Sequence, residues 1–347
     1  MTLAPTGNNY MNLDQPSSYS RLPHRIAVVL ACVTFPLIWV GGLVTTYDAG
    51  MAVPDWPSTY GYNLFLYPWQ TWVSGPWDLF IEHGHRLLGA LAGLITIVLV
   101  VAVWRRDSRR WMRYLVLAAF GLVIFQGVIG GMRVLFDERE LAKLHGCTGP
   151  LFFTLTVAIA VLTSRKWYQP TRIINHAATG TVRRFSILTA LLAYIQLVLG
   201  ANLRHISVDA SANSFRAVVF FHLLMAAVVT VHVFLLTMFV LIVDARHYSL
   251  VVPALGLSLL IGLQLLLGSA TWIVNYSWPS GIPEPEMLNG FTIESKGWLQ
   301  SNIVTAHVAV GSLIVATSIV IALRAWRVLL PVESENTDSM LLKGALA

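Results

Sequence analysis

The sequence predicts an all-α integral membrane protein with eight transmembrane helices in two pseudo-symmetric four-helix bundles and both termini in the cytoplasm. Hydrophobic residues make up 56% of the 347 residues and charged residues only 12%, whereas roughly 25% is usual in soluble domains. Eight apolar stretches have the length of about 20 residues that a bilayer core requires. Positive charge also alternates between the connecting segments, as it does in multi-pass membrane proteins.

The predicted spans, numbered 1 to 8 in chain order, divide the chain into two blocks. They cover residues 26–46, 84–104, 113–133, 145–164, 185–204, 221–243, 251–274 and 303–325. The predicted domains are a cytoplasmic tail (1–25), an N-terminal bundle (26–164, with outer loop 47–82), a cytoplasmic linker (165–184), a C-terminal bundle (185–327, with outer loop 275–302) and a second cytoplasmic tail (328–347). The first outer loop is rich in aromatic residues and holds no Lys or Arg, which favours the lipid–water boundary.

The basic residues predict the orientation. The two termini and the even-numbered gaps hold 16 of the 23 Lys and Arg, the other side holds six, and Arg86 lies inside span 2. The positive-inside rule therefore places both termini in the cytoplasm, and the charge marks topology, not a nucleic-acid surface. The first 20 residues fit neither a cleavable signal nor an Arg-rich transit peptide. We therefore expect a bacterial plasma (inner) membrane.

Four histidines share one local context. Each opens an even-numbered span and is followed four residues later by Gly or Ala; the pairs are His85 and Gly89, His145 and Gly149, His222 and Ala226, and His307 and Gly311. A small residue one turn further on the same helix face leaves room beside the imidazole for a flat, bulky group. Every even span runs from outside to inside, so the four histidines lie at similar depth near the outer face.

The odd-numbered spans carry a second repeat. Three contain Gln-x-x-x-Gly near the outer end, and span 1 ends with Gly41 and Gly42 but lacks the glutamine; the three motifs are Gln126 with Gly130, Gln196 with Gly200, and Gln264 with Gly268. This similarity predicts an internal duplication of spans 1–4 and 5–8, related by an axis along the membrane normal.

Imidazole is a common axial ligand of haem iron, and histidines on facing helices allow coordination from both sides. The predicted iron ligands are His85 with His145 in the N-terminal block and His222 with His307 in the C-terminal block. The alternative is a set of buried histidines satisfied by hydrogen bonds. Four equivalent intramembrane positions favour ligation. Cys32 and Cys147 form no disulfide or CxxC pattern.

Four charged residues are candidates for supporting roles. Glu82 precedes His85 by three residues, so both lie on one face if the helix already includes Glu82. Its carboxylate then orients the imidazole, moves protons or stabilises a developing cation, or is simply an acid favoured at a helix N-terminus. Arg86, Arg133 and Arg204, at the outer edges of their spans, suit haem propionates. Ordinary snorkelling to the interface is the alternative for each arginine.

Three other histidines have weaker predicted roles. His83 points away from His85 on a helix, so we expect it to meet water or lipid headgroups. His205 lies beside Arg204 and is a candidate for helping to hold a propionate. His232 lies roughly 15 Å deeper than His222 at the helical rise, and we expect it to form a polar bridge between helices.

Two motifs carry a resemblance to a known family. Residues 50–57 read Gly-Met-Ala-Val-Pro-Asp-Trp-Pro in the first outer loop, and residues 82–86 read Glu-His-Gly-His-Arg at the start of span 2. With His145, His222 and His307, these residues resemble the haem A synthase family over about residues 25–327. The loop 47–82 contains no cysteine, so the chain is similar to the branch of that family without a first-loop cysteine pair, and a thiol mechanism in that loop is excluded.

The resemblance implies an oxidoreductase that converts the C8 methyl of haem O to a formyl group, giving haem A for cytochrome oxidase. It implies haem B on His222 and His307, the substrate haem O at His85 and His145, and a catalytic role for Glu82. The implied partners are haem O, a haem O synthase, the cytochrome oxidase assembly pathway, membrane lipid and an electron donor that the sequence does not identify. The haem sites are expected toward the extracytoplasmic face.

Other functions also fit the histidine pattern. A dihaem b-type membrane cytochrome uses the same paired ligands to transfer electrons. A haem transporter or chaperone holds haem transiently, and a non-haem transporter uses histidines for proton coupling. Composition and spacing alone indicate only a membrane haem protein; the resemblance and the acid beside one histidine pair favour the enzyme.

Overall fold

The computed structural model describes residues 19–207, 209–278, 283, 285 and 294–330, and within them eight helices are long and apolar enough to cross a membrane. These are α1 (Arg21–Thr46), α3 (Trp77–Arg106), α4 (Arg110–Phe136), α5 (Arg139–Leu162), α7 (Thr179–Arg204), α8 (Ala212–Asp244), α9 (Tyr248–Tyr276) and α10 (Trp298–Val328). The eight predicted spans are confirmed. Most of both predicted tails and most of the second outer loop, including Glu284 and Glu286, lie outside the described residues.

Short elements connect the long helices. The first outer loop contains a 3-10 helix (Ala49–Met51) and α2 (Trp69–Val73), and the linker begins with α6 (Arg165–Tyr168). Two strands of two residues each, β1 (Ile174–Asn175) and β2 (Leu329–Leu330), pair in parallel. Leu66 and Trp69 of the outer loop are 74% and 65% exposed, which agrees with a position at the lipid–water boundary.

The spanning helices begin earlier than the apolar stretches. α3 begins at Trp77 and α8 at Ala212, whereas the predicted spans begin at 84 and 221. The apolar window follows the hydrocarbon core, but peptide groups at the interface still need hydrogen-bond partners, so the helices continue outward. The four histidines therefore lie two to three turns inside their helices, and the expectation that they open the helices is wrong.

The two halves share one pattern of helix contacts. α1, α3, α4 and α5 form a closed ring of neighbours, and α7, α8, α9 and α10 form a second ring in the same chain order. The halves meet through α5 and α10, flanked by contacts of α1 with α10 and of α5 with α7. If α1, α3, α4 and α5 are taken to correspond to α7, α8, α9 and α10, each contact in one half has a counterpart in the other. An internal duplication predicts this correspondence.

Each ring encloses its own apolar core. Leu30, Leu99, Met112 and Ile159 are fully buried in the N-terminal half, and Val233, Leu236, Leu257 and Ile321 are fully buried in the C-terminal half. The outward faces stay apolar, as a lipid environment allows.

On the side predicted to be cytoplasmic, the linker is fastened to the C-terminal end of the chain. Arg327 donates hydrogen bonds to the carbonyls of Lys166 (2.8 Å) and Gln169 (2.7 Å). Thr179 donates to the carbonyl of Leu330 (2.8 Å), beside the β1–β2 pairing. These contacts connect both halves at the end of the molecule opposite the histidines.

Candidate haem sites

The structure brings the predicted histidines together as two pairs. His85 on α3 faces His145 on α5, with ring centroids 6.2 Å apart and ring planes at 82°. His222 on α8 faces His307 on α10, with centroids 6.5 Å apart and planes at 70°. Each pair lies across one four-helix ring, between its second and fourth helices.

These separations fit iron held from two sides. Two imidazoles on opposite sides of one metal place their ring centroids about 6 Å apart, because each bond is about 2 Å long and each nitrogen lies roughly 1 Å from its ring centre. Among the described residues, no group of three or more His, Cys, Asp or Glu is placed to hold a metal ion. Two protein ligands per site suit iron whose other four ligands come from a porphyrin.

Each imidazole lies against a glycine on a neighbouring helix. A Cβ atom added to that glycine would lie 2.8–3.1 Å from the histidine Cε1; the pairs are Gly41 with His85, Gly130 with His145, Gly200 with His222, and Gly268 with His307. Any side chain there would push the ring from its position. The glycine of the Gln-x-x-x-Gly motif therefore makes room for the histidine.

The small residues one turn beyond the histidines have other surroundings. A Cβ at Gly89 would meet no atom of the described chain within 4 Å, so open space adjoins the His85 side. Gly149 and Gly311 instead face the side chains of Gln126 and Gln264. The open space at Gly89 agrees with the expected room for a bulky group. At Gly149 and Gly311 a glutamine side chain occupies the corresponding space.

The paired imidazoles have few hydrogen bonds to the protein. Nδ1 of His85, His145 and His307 makes no hydrogen bond of good geometry among the described residues, although each ring lies within reach of one backbone group, of Leu37, Gln126 and Gln264 respectively. The Gln196 amide lies 3.2 Å from His222 Nδ1, and the Gln264 amide lies 3.5 Å from His307 Nε2. A histidine that ligates a metal commonly has its second nitrogen oriented by the backbone, so these surroundings suit a ligand.

Among the described residues both pairs lie near an arginine, Arg133 or Arg204, but only the N-terminal pair has a carboxylate, that of Glu82, within one turn of a histidine in the chain. Glu82, Arg86 and Arg133 lie on the two helices that carry His85 and Gly130. Aligning the halves on the histidines and glycines places Val219, Leu223 and Thr271 at the corresponding positions. The two sites therefore share a geometry for holding iron but differ in electrostatics.

Glu82 is buried and belongs to α3, as the sequence argument required. Its carboxylate accepts hydrogen bonds from the Val53 backbone N–H (3.0 Å) and from Arg86 (2.8 Å). Val53 lies in the outer loop and Arg86 lies one turn further along α3. Among the described residues no hydrogen bond joins the Glu82 carboxylate to His85. The expected orientation of the imidazole by Glu82 is absent from this arrangement.

Arg133 and Arg204 are partly buried, and neither has a carboxylate within 4 Å among the described residues. Arg133 donates to the Gly50 carbonyl (3.0 Å), and Arg204 donates to the Gly42 carbonyl and Thr46 hydroxyl (both 2.7 Å). Arg133 lies near both N-terminal histidines, and Arg204 lies near His307. A haem propionate is the kind of anion that suits each of these guanidinium groups.

The prediction for His83 is wrong. The side chain is 2% exposed, pairs with the Thr59 hydroxyl at 3.0 Å, and packs against Tyr67 and Trp72. The outer loop folds back over the start of α3 and covers it. This long-range contact leaves no signal in local spacing.

His205 and His232 lie apart from the two pairs. His205 follows α7 and lines, with Glu140 and Lys143, a cavity of about 300 Å³ between the halves. Burial, together with the nearby Arg204, lowers the pKa of His205 to about 4. His232 stacks on Phe185, with centroids 4.5 Å apart and planes at 6°, and the Phe185 backbone lies within hydrogen-bonding reach of its ring. It therefore joins α8 to α7 through an aromatic contact as well as the expected polar one.

Comparison with known proteins gives a family match and several related proteins. The model of the cytochrome oxidase assembly protein family COX15-CtaA matches residues 24–218, which include His85 and His145 but end before His222. The chain is similar to a haem A synthase of Shouchella clausii (27% identity over 199 residues, 55% of this chain and 62% of that protein). It is also similar to a haem A synthase of Symbiobacterium thermophilum (28% over 182 residues, 51% and 56%).

A further similarity joins the chain to a protohaem IX farnesyltransferase of Halobacterium salinarum (29% over 139 residues, 39% of this chain and 28% of that protein). The matches to the two haem A synthases span about six tenths of the length of those relatives. The family match itself extends over more than half of this chain. The chain therefore belongs to the COX15-CtaA family of cytochrome oxidase assembly proteins, the haem A synthase family.

Proposed function

We propose that the protein is a haem A synthase, which oxidises the C8 methyl group of haem O to a formyl group and so supplies haem A for cytochrome c oxidase. The observation that carries the proposal is a pair of sites with nearly the same ligand spacing, 6.2 and 6.5 Å between ring centroids, of which, among the described residues, only one has a carboxylate, Glu82, within one turn of a histidine in the chain. Family membership and the similarity to haem A synthases support it.

The difference between the sites assigns their roles. A resident cofactor needs ligation and a stable pocket, and the C-terminal pair, with Gln196 and Gln264 beside it, suits haem B. A substrate must also change charge and lose protons during the reaction, and the N-terminal pair lies near Glu82, Arg86 and Arg133. Haem O therefore belongs at His85 and His145, and haem B at His222 and His307.

The chemistry divides between haem and protein. Bound haem would supply redox chemistry, and the conversion of the methyl to a formyl group, which removes four electrons and four protons for each water oxygen gained, would also need an external oxidant to take those electrons. The contribution of the chain is to place the methyl group and stabilise charge near it. A buried carboxylate such as Glu82 stabilises a developing cation, or accepts a proton, more effectively than one in water.

The arginines contribute to placement. In haem O the C8 methyl neighbours a carbon that bears a propionate, so the group that holds that propionate also determines where the methyl lies. Arg133 is partly buried and lies near both N-terminal histidines, so its guanidinium group suits this role. Arg204 has the corresponding role for the haem B of the C-terminal half.

The similarity to a protohaem IX farnesyltransferase bears on the substrate. The name of that protein describes transfer of a farnesyl group to protohaem IX, and haem O is the farnesylated form of that porphyrin. A haem O synthase is therefore the expected supplier of the substrate. We place the protein in a bacterial plasma membrane with its haem sites toward the extracytoplasmic face, because the basic residues gather at the opposite end.

A dihaem b-type electron-transfer cytochrome is the second candidate, because the two histidine pairs have nearly equal geometry. Haem extraction and chromatography separate the two functions. Membranes from cells that co-express this chain with a haem O synthase are compared with membranes that carry the same synthase and a His85→Ala, His145→Ala variant. We expect haem A, or its hydroxymethyl precursor, only with the unaltered chain. Haem O left unconverted, with the chain present and loaded with haem B, would favour the cytochrome.

A further inference from the structure

Residues 50–62 of the first outer loop form a compact unit, which we call the outer cap. The Asp55 carboxylate accepts hydrogen bonds from the Ser58 hydroxyl (2.5 Å) and from the backbone of Tyr60 (2.7 Å) and Gly61 (2.8 Å). The Tyr60 hydroxyl donates back to the Ala52 carbonyl. Burial alone would raise the pKa of Asp55, but these hydrogen bonds outweigh that effect and lower it. The cap therefore holds its own shape.

Arg86 fastens the outer cap to α3. Its guanidinium donates to the carbonyls of Val53 (2.7 Å), Asp55 (2.6 Å) and Ser58 (3.0 Å), and also to Glu82. Three carbonyl groups from one loop around one guanidinium are typical of a structural anchor, because a planar fork of donors fixes several acceptors at once. This arrangement does not leave Arg86 directed toward a propionate.

Two further contacts complete the attachment to α3. Glu82 accepts from the Val53 N–H, so both backbone polar groups of Val53, the N–H and the carbonyl, are held by α3. His83 pairs with the Thr59 hydroxyl near the other end of the cap. Glu82, His83 and Arg86, which we call the clasp, are all within one turn of His85 in the chain.

The outer cap also reaches α4, on the side of His145. The Trp56 indole lies so close to Gly131 that any Cβ there would overlap the ring. The preceding residue, Gly130, is the glycine that backs His145, and Arg133 donates to the cap at the Gly50 carbonyl (3.0 Å). Trp56 is therefore carried to the outer end of the N-terminal histidine pair, where it remains 36% exposed.

The C-terminal half has no equivalent of this arrangement in its sequence. Leu223 occupies the position of Arg86, and Val219 that of Glu82. The connection from α7 to α8 runs only from 205 to 211, whereas that from α1 to α3 runs from 47 to 76. The outer cap thus covers one site of the two, the site that we assign to the substrate.

We propose that Arg86 is a positioning residue that holds the outer cap closed, and that Trp56, carried by the cap, contacts the substrate porphyrin as the outer wall of the N-terminal site. The identity of the ligand rests on the proposed function, whereas the closure of the cap does not. A flat indole offers a large apolar face with little loss of conformational freedom, which suits contact with a porphyrin edge.

The closure is tested by thiol labelling. Cys32→Ser and Cys147→Ala remove the native thiols, and Val53→Cys places a reporter at a position with 0% exposure. Arg86→Gln in this background is expected to raise the rate of labelling by a membrane-impermeant maleimide about tenfold or more, and Arg86→Lys by less. Arg139→Gln, an exposed arginine on the same side of the membrane, is the control for the charge change. An unchanged rate in Arg86→Gln, or an equal rise in Arg139→Gln, would overturn the positioning role.

Trp56 is tested by binding, not by turnover. Haem O is titrated into the purified protein and into Trp56→Phe and Trp56→Ala, with the haem spectrum of the C-terminal pair as the check on folding. We expect about tenfold weaker binding at the N-terminal pair for Trp56→Ala and near-normal binding for Trp56→Phe. Unchanged affinity in Trp56→Ala would contradict the contact. If the unaltered protein binds haem O but does not convert it, the proposed function is wrong. The labelling rates and the haem O affinities then still decide the roles of Arg86 and Trp56.

Discussion

A histidine in a membrane helix needs both a partner for its nitrogens and space for its ring. The four histidines obtain the space from glycines on neighbouring helices, such as Gly41 for His85 and Gly268 for His307. Their hydrogen bonds to the protein are few: Nδ1 of three of them makes none of good geometry in the described chain, and one backbone group lies near each of these rings. Together with the space beside each ring, this favours a ligand over a core histidine that is fully satisfied by hydrogen bonds.

Glu82 offers the sharpest test of catalysis by a single residue. Glu82→Gln keeps the size of the side chain but removes its charge, so we expect haem A formation to fall about 100-fold or more, the range of a lost general acid–base or electrostatic group. Haem B at the C-terminal pair should be retained. Product yield is measured by haem chromatography and haem B by its optical spectrum. A normal yield of haem A would contradict the catalytic role.

His205 predicts a particular dependence of stability on pH. Burial, with help from Arg204, lowers its pKa to about 4 in the folded protein, against about 6.5 in an unfolded chain. Between these values the unfolded chain binds a proton that the folded protein does not, so the free energy of unfolding decreases as the pH falls through this window. His205→Gln should lose this part of the decrease. Thermal unfolding at pH 7.5 and pH 5 measures it, and an identical pH response in both proteins would contradict it.

The ligand residues were predictable from sequence because an ionisable group in an apolar helix stands out, and four of them shared one context. The contacts of His83 and Arg86 were not predictable. Arg86 bonds to Asp55, 31 residues away, and His83 bonds to Thr59, 24 residues away. Such pairs depend on how a loop folds back, and helical periodicity carries no information about that.

Among the helices, α4 provides a matched test of the role of glycine. A Cβ at Gly130 would lie 3.0 Å from His145 Cε1, whereas a Cβ at Gly127 would meet nothing within 4 Å in the described chain. Gly130→Ala should displace the ring and weaken haem binding at the N-terminal pair about 10-fold or more, as changes to groups that orient metal ligands do. Gly127→Ala is the control. Haem titration of both variants decides the point, and equal affinities would show that the glycine is not needed for ligand placement.

The sequence correctly predicted the eight spanning helices, but it predicted each of them to be shorter than it is. Each predicted span corresponds to one long helix, because 20 apolar residues in a bilayer have no alternative to internal hydrogen bonding. The extra turns, such as Trp77–Leu79 at the start of α3, are amphipathic or aromatic and lie outside the window that hydropathy detects. Glu82 and His83 of the clasp lie in this added region, whereas Arg86 lies inside the predicted span, so the limit that shortened the predicted helix concealed part of the clasp.

For the whole molecule, the charge distribution predicts which end faces the cytoplasm. With the native cysteines replaced, Leu66→Cys in the outer loop should react with a membrane-impermeant maleimide in intact cells stripped of their wall. Ser108→Cys, in the connection between α3 and α4, should react only after the membrane is permeabilised. Both positions are exposed, so accessibility within the protein is matched. Labelling of Ser108→Cys alone in intact cells would reverse the orientation.

The sequence predicted that the two halves are related by an internal duplication, but it did not predict how they pack against each other. The repeated Gln-x-x-x-Gly motif and the histidine spacing indicated the duplication, and the matching rings of helix contacts agree with it. The loops break the similarity, since the long outer connection precedes the second helix in one half and the fourth helix in the other. That difference distinguishes the site beneath the outer cap, beside Glu82 and Arg86, from the site of the C-terminal half, and on our account it separates substrate from cofactor.

The most direct test of this account is the haem content of two double variants, expressed without a haem O synthase and examined by optical and electron paramagnetic resonance spectroscopy. We predict that His85→Ala with His145→Ala retains a low-spin haem B with two histidine ligands. We predict that His222→Ala with His307→Ala loses it. Retention of that haem in the second variant, or its loss from the first alone, would contradict the assignment of cofactor and substrate to the two halves.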